Sequence, residues 1–122
     1  MKKTEKSSND LSDLRDRLRA FIAERDWDQF HTPKNLAAAL VVEAGELLEH
    51  FQWLTADASK SLTAAQLAQV RDETADVLIY LVRLADKLDI DLLEAAREKM
   101  AKNALKYPVA KSRGNIRKYS DL

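Results

Sequence analysis

Cysteine is absent from all 122 residues. That excludes a disulfide framework, a thiolate metal site and a cysteine nucleophile, and it fits a reducing, cytoplasmic setting. Glycine is almost as scarce, with only Gly45 and Gly114. Neither GxxxxGK nor GxGxxG occurs, so no Gly-rich loop can cradle a phosphate, and a bound nucleotide must be held by side chains and metal. There is no excess of either charge. The 20 basic and 20 acidic residues give a formal net charge of zero, which argues against a broad nucleic-acid-binding face. No apolar run reaches the length of about 18 residues that a membrane span needs. Residues 1–10 are polar and lack the apolar segment of a signal peptide. The only histidines are His31 and His50. They are too few for a three-His site and form neither HExxH nor the ExxH pairs of a di-iron bundle.

What the chain does have is leucine and alanine at helical spacing. Apolar residues make up 46% of the sequence, enough for one domain with a core of its own. Residues 1–10 are expected to form a flexible leader. Leu11, Leu14, Leu18, Phe21 and Ile22 then recur at three and four residues, predicting an amphipathic helix to Arg25. Thr32 before Pro33 reads as an N-cap with proline in the first turn. It opens a second helix through Leu36, Leu40, Leu47 and Phe51 to Leu54. A polar linker covers 55–62. Thr63 with Gln66 forms a capping-box signal for a third helix, whose stripe is Val70, Val77, Leu81, Leu84 and Leu88. Asp91 and Glu94 open a fourth, which Pro108 stops. The tail, residues 109–122, is basic and lacks helical patterning. No strand alternation appears. An all-α, four-helix bundle-like domain over residues 11–108 is the expected fold. Apolar stripes on several helix faces imply a buried subunit interface.

Two acidic pairs interrupt these helices. Glu43 and Glu46 stand three apart in the second helix, Glu73 and Asp76 three apart in the third, so each pair occupies one helix face. With Leu36 as origin, Leu40, Leu47 and Leu54 lie at about 40°, about 20° and about 0°. Glu43 falls inside this leucine stripe at about −20°, and Glu46 on its shoulder at about −80°. Glu49, at about 220°, points away and suits a supporting role. In the third helix, with Val70 as origin, Glu73, Tyr80 and Asp76 lie at about −60°, about −80° and about −120°. If the two faces pack together, four carboxylates converge where unpaired charge is costly. The natural compensation is a hard divalent cation with oxygen ligands, Mg²⁺ or Mn²⁺, and through it a phosphate substrate. Acidic pairs are also common as solvated helix-surface charge, and spacing alone does not separate the two readings.

Trp27, Phe30, Trp53 and Tyr80 are candidates to stack on a nucleobase, though their spacing also suits core packing. Lys99, Asn103 and Lys106 share one face of the last helix, where they can engage phosphate oxygens or simply be solvated. Arg113, Arg117 and Lys118 can close over a polyphosphate or form a basic tail.

Together these residues carry a resemblance. Glu43-Ala-Gly-Glu46, followed by Glu49, and Glu73-Thr-Ala-Asp76 resemble the ExxE…ExxD signature of the all-α nucleoside triphosphate pyrophosphatases of the MazG-like superfamily. Phe51-Gln52-Trp53 and Asp76-Val77-Leu78-Ile79-Tyr80 make the likeness closest to the dCTP pyrophosphatase branch. It extends from Arg25-Asp26-Trp27 and Gln29-Phe30-His31 to Lys106-Tyr107-Pro108 and Arg117-Lys118-Tyr119. The resemblance implies Mg²⁺-dependent hydrolysis of dCTP, or a modified dCTP-like nucleotide, to monophosphate and pyrophosphate. It implies Glu43, Glu46, Glu73 and Asp76 as metal ligands. Trp27, Trp53 and Tyr80, with His31 beside them, become the base and sugar pocket, and Asn103, Lys106 and Tyr107 its phosphate edge. It also implies a homodimer or homotetramer whose neighbouring subunits complete the pocket. In the proposed chemistry Glu46, or failing that Glu49, activates the water. Two other readings stay open: a non-catalytic nucleotide or metal sensor, and a structural helical partner in which Glu43 faces a Lys or Arg of another chain.

Overall fold

The structure, a computed structural model, describes residues 10–122. The leader expected at residues 1–10 therefore lies outside the described residues, except for Asp10. The Asp10 carboxylate accepts the backbone N–H of Asp13 at 2.8 Å and caps α1, Leu11–Glu24. A single 3-10 turn, Asp28–Phe30, follows. Helix α2, Pro33–Glu49, starts as its sequence dictates: Thr32 accepts from the N–H of Asn35 at 3.2 Å, and Pro33 supplies a residue that has no N–H to orphan. The helix ends at Glu49, short of the expected Leu54. Turn bonds from Phe51 N to Leu48 O and from Leu54 N to Phe51 O, at 2.8 and 2.9 Å, take over there. A short helix, α3 (Ala56–Ser59), occupies the linker, where none was expected; Thr55 caps it.

Helix α4, Ala64–Lys87, is the long element of the first unit, and both halves of its capping box form between Thr63 and Gln66. Helix α5, Leu92–Lys106, is capped by Asp91, which accepts from the N–H of Glu94 at 3.0 Å. The tail is not featureless: Pro108 precedes a four-residue helix, α6 (Val109–Ser112), and a 3-10 turn spans Tyr119–Asp121. No strand occurs among the described residues. The architecture is all-α, as the periodicity predicts.

The chain divides into two compact units, Met1–Asp89 and Ile90–Leu122. In the first, α2 lies along α4, and α1 packs on α4 as well. Leu18 and Ile22 from α1, Leu36 from α2, and Val82 and Ala85 from α4 form its buried apolar core. Many apolar side chains stay outside it. Val41 and Leu48, seven residues apart, share one face of α2, and Leu67, Leu78 and Leu81 share one face of α4; all five are exposed. In the second unit Tyr107 and Tyr119 meet edge to face at 6.1 Å between ring centroids, tying the 3-10 turn to the end of α5.

Candidate metal and nucleotide site

The packing of α2 along α4 brings three of the four signature acids together. One carboxylate oxygen from each of Glu43, Glu73 and Asp76 lies within 4.8 Å of the others. Glu43 comes from inside the leucine stripe of α2, so the contact that buries the leucines also delivers this carboxylate to α4. Oε2 of Glu43 and Oε2 of Glu73 are buried with no hydrogen-bond partner. Orphaned carboxylate oxygens at an interior position are costly, and a divalent cation is the partner that satisfies them together. The donor set is all oxygen, which suits Mg²⁺ or Mn²⁺.

Electrostatics agree with the geometry. The Glu43 carboxyl is pushed up to about 7 from an ordinary 4.5. Loss of hydration is the largest cause, followed by the hydrogen bond that protonated Glu43 donates to Glu46 and the negative charges of Glu46, Asp76 and Glu73. Without a cation, Glu43 holds its proton well above the usual carboxylate range. Glu46 thus adjoins Glu43 but stands outside the three-acid group, and Glu49 is exposed on α2.

A further neighbour comes from the end of α2. Nε2 of His50 lies 3.8 Å from Oε1 of Glu73. In the sequence His50 is only one of two histidines, too few for a three-His site. Its spacing of seven from Glu43, which places both on one helix face, is the signal that could have found it.

The aromatic candidates are not core. Trp53 is 88% exposed, and Trp27 and Phe30 are exposed too. Trp27 sits at the entrance to the 3-10 turn, its ring edge-on to Phe21 at 5.9 Å, with the Arg25 guanidinium 3.6 Å above Phe21. The turn is braced by Gln29 Nε2 on the Asp26 carbonyl at 3.0 Å and by Asn35 Nδ2 on the Phe30 carbonyl at 3.0 Å. His31 leaves the turn with Nδ1 accepting from Arg83 Nε at 3.3 Å. Tyr80 is half-buried on α4, one turn beyond Asp76.

Asn103, Lys106, Tyr107, Arg113, Arg117 and Lys118 belong to the second unit. Asn103 accepts the N–H of Tyr107 through its carbonyl at 2.8 Å, closing α5. The Lys106 ammonium lies 4.7 Å over the Tyr119 ring. Arg113 follows α6, and Gly114 turns the chain with φ 79°, a conformation suited to glycine. Arg113, Arg117 and Lys118 are exposed.

Comparison with known proteins gives one consistent picture. The MazG-like family matches residues 38–122. The chain is 47% identical over 114 residues to dCTP pyrophosphatase 1 of Mus musculus, a match covering 92% of this chain and 67% of that protein. Its likeness to dCTP pyrophosphatase 1 of Rattus norvegicus is 50% over 115 residues, with the same coverage. A crystal structure of a pyrophosphatase from Archaeoglobus fulgidus superposes with a TM-score of 0.78 at 42% identity. It covers 87% of this chain and 99% of that one.

Proposed function

The chain belongs to the MazG-like family, and from that premise we propose that it is a nucleoside triphosphate pyrophosphatase that cleaves dCTP to dCMP and pyrophosphate. One observation carries the placement of its chemistry: Glu43, Glu73 and Asp76 converge with two orphaned, buried carboxylate oxygens. These three acids, with Glu46 beside them, are the ligands for Mg²⁺, or for Mn²⁺ in its place. A divalent ion held there supplies charge neutralisation for the triphosphate and lowers the pKa of water.

The side chains have separate tasks. Glu43, Glu73 and Asp76 form a negative cradle that repels a bare triphosphate and accepts a neutralised one. Glu46, first choice over Glu49, orients the attacking water and takes its proton. The water oxygen bonds to the α-phosphorus, the bond from that phosphorus to the α,β-bridging oxygen breaks, and pyrophosphate leaves. Trp27, Trp53, Tyr80 and His31 hold base and sugar, an aromatic platform suited to a flat pyrimidine. Within the second unit, Asn103, Lys106, Tyr107, Arg113, Arg117 and Lys118 offer donors and positive charge suited to phosphate oxygens.

The protein works as a homodimer or homotetramer. The exposed leucines and valines of α2 and α4 support this, because apolar side chains aligned on helix faces and left in solvent are what a second copy covers. No described helix is long and apolar enough to cross a membrane. A cytoplasmic setting, where Mg²⁺ and triphosphates coexist, completes the proposal.

Incubating purified protein with dCTP and Mg²⁺, and measuring dCMP and pyrophosphate separately, tests it. Equimolar dCMP and pyrophosphate are expected. Release of inorganic phosphate with dCDP, or binding without turnover, overturns the reading.

A further inference from the structure

Arg83 is buried, at 3% exposure, within an apolar stretch of α4. A guanidinium taken out of water needs partners for all its edges, and here they come from three places. Its Nη2 donates to Asp28 Oδ1 at 3.2 Å, its Nη1 to Asp86 Oδ2 at 3.3 Å, and its Nε to His31 Nδ1 at 3.3 Å. Two further cations hold the same carboxylates, Arg19 from α1 on Asp86 and Lys87 on Asp28. Asp86 and Asp28 both have lowered pKa values, chiefly through the hydrogen bonds from Arg19 and Lys87 respectively. Both therefore stay ionised, and the network keeps its charges near neutral pH.

The His31 contact fixes a proton. Arginine can only donate, so the Nδ1 that receives its N–H must be bare, and a neutral imidazole then carries its hydrogen on Nε2. Burial, followed by the Arg83 charge, lowers the pKa of His31; Lys87 adds to this and Asp28 opposes it. The ring is thereby held as a neutral Nε2–H donor.

Position along α4 gives this a use. Glu73, Asp76, Tyr80 and Arg83 follow one another at three, four and three residues, so they form one stripe on the helix. From Asp76 to Arg83 the stripe advances roughly 10 Å. That matches the reach of a nucleotide from its α-phosphate to its base. With phosphates at the carboxylates, the pyrimidine lies toward Tyr80 and the turn that Arg83 holds.

We propose that Arg83 is a positioning residue for the nucleotide: it presents the turn bearing Trp27 and His31 and fixes His31 as an Nε2–H donor to an acceptor atom of the bound pyrimidine. This rests on the pyrophosphatase reading of the site. The first test needs neither substrate nor variant of Arg83. ¹⁵N-edited NMR of the imidazoles, assigned by the loss of one ring in His31→Asn, is expected to show His31 protonated on Nε2 and bare on Nδ1. A proton on Nδ1 overturns the proposal. In Arg83→Lys, which keeps the buried charge and whose fold is checked by circular dichroism, the single tautomer is expected to be lost. KM for dCTP is expected to rise about tenfold, with kcat falling by a smaller factor. In a His31→Asn background the same change is expected to add a clearly smaller rise in KM, the part that comes from Arg83 holding the turn through Asp28. Unchanged KM in Arg83→Lys, or a full additive rise in that background, overturns it. Absence of dCTP turnover in the parent protein sinks the pyrophosphatase reading instead, while the NMR result still decides the Arg83–His31 link.

Discussion

Replacing Glu43 by glutamine removes one negative charge from the carboxylate cluster and leaves the side chain nearly unchanged in size. In the folded protein this carboxyl titrates at about 7 instead of 4.5, because burial and its acidic neighbours disfavour the charged form. The folded state therefore binds more protons than the unfolded chain between those two values, and stability falls as pH rises through that window. A shift of this size corresponds to about 3 kcal/mol for a fully desolvated group, and solvent screening reduces it to roughly 1–2 kcal/mol. Glu43→Gln removes that penalty. In EDTA at pH 8 the variant should melt roughly 5 °C above the parent, and at a pH below 4.5 the difference should shrink toward zero. Mg²⁺ should reverse the order, since the parent gains stability by binding the ion and the variant has lost a ligand. Turnover of dCTP should fall by about two orders of magnitude or more. Thermal unfolding with and without Mg²⁺ at both pH values, alongside product release, measures all of this. A variant less stable than the parent in EDTA at pH 8 refutes the reasoning, because it would mean that Glu43 is paired with a cationic side chain.

Three further outcomes are expected. Trp53→Ala should change the melting temperature little, since the exposed ring contributes at most about 0.5 kcal/mol to the fold; KM for dCTP should rise several-fold. Thr63→Ala breaks the capping box of α4 and should lower stability by about 1 kcal/mol in denaturant titrations, with kcat unaffected. Asp89 follows the end of α4 with φ 55°, where glycine is the usual residue. Asp89→Gly should therefore match or exceed the parent's stability, by up to about 1 kcal/mol on the same titration.

The parts of this structure readable from sequence are those written in local code. Thr32-Pro33, the Thr63–Gln66 box and Asp91 announce their helices because a cap is made within four residues. Glu43 could be singled out because an acid inside a leucine stripe must meet whatever the leucines meet. The end of α2 is harder, since Phe51 and Leu54 continue the apolar spacing after the helical hydrogen bonds have given way to turns. Helices α3 and α6, four residues each, are too short to show a period. Trp53 and Phe30 have the composition of core but remain outside, which no single-chain periodicity distinguishes from a face awaiting a ligand or a second copy. The Arg83 network joins residues 52 and 55 positions apart, so only the anomaly of a charge in Leu81-Val82-Arg83-Leu84-Ala85 hints at it. Its partners depend on how α4 meets the turn after α1.

The most direct measurement is the anomalous scattering of Mn²⁺ in crystals grown with a dCTP analogue whose α,β-bridging oxygen is replaced by NH. A peak bounded by Glu43, Glu73 and Asp76 and touching an α-phosphate oxygen is the expected result. Manganese bound elsewhere, with those three carboxylates free of metal and nucleotide, contradicts the account.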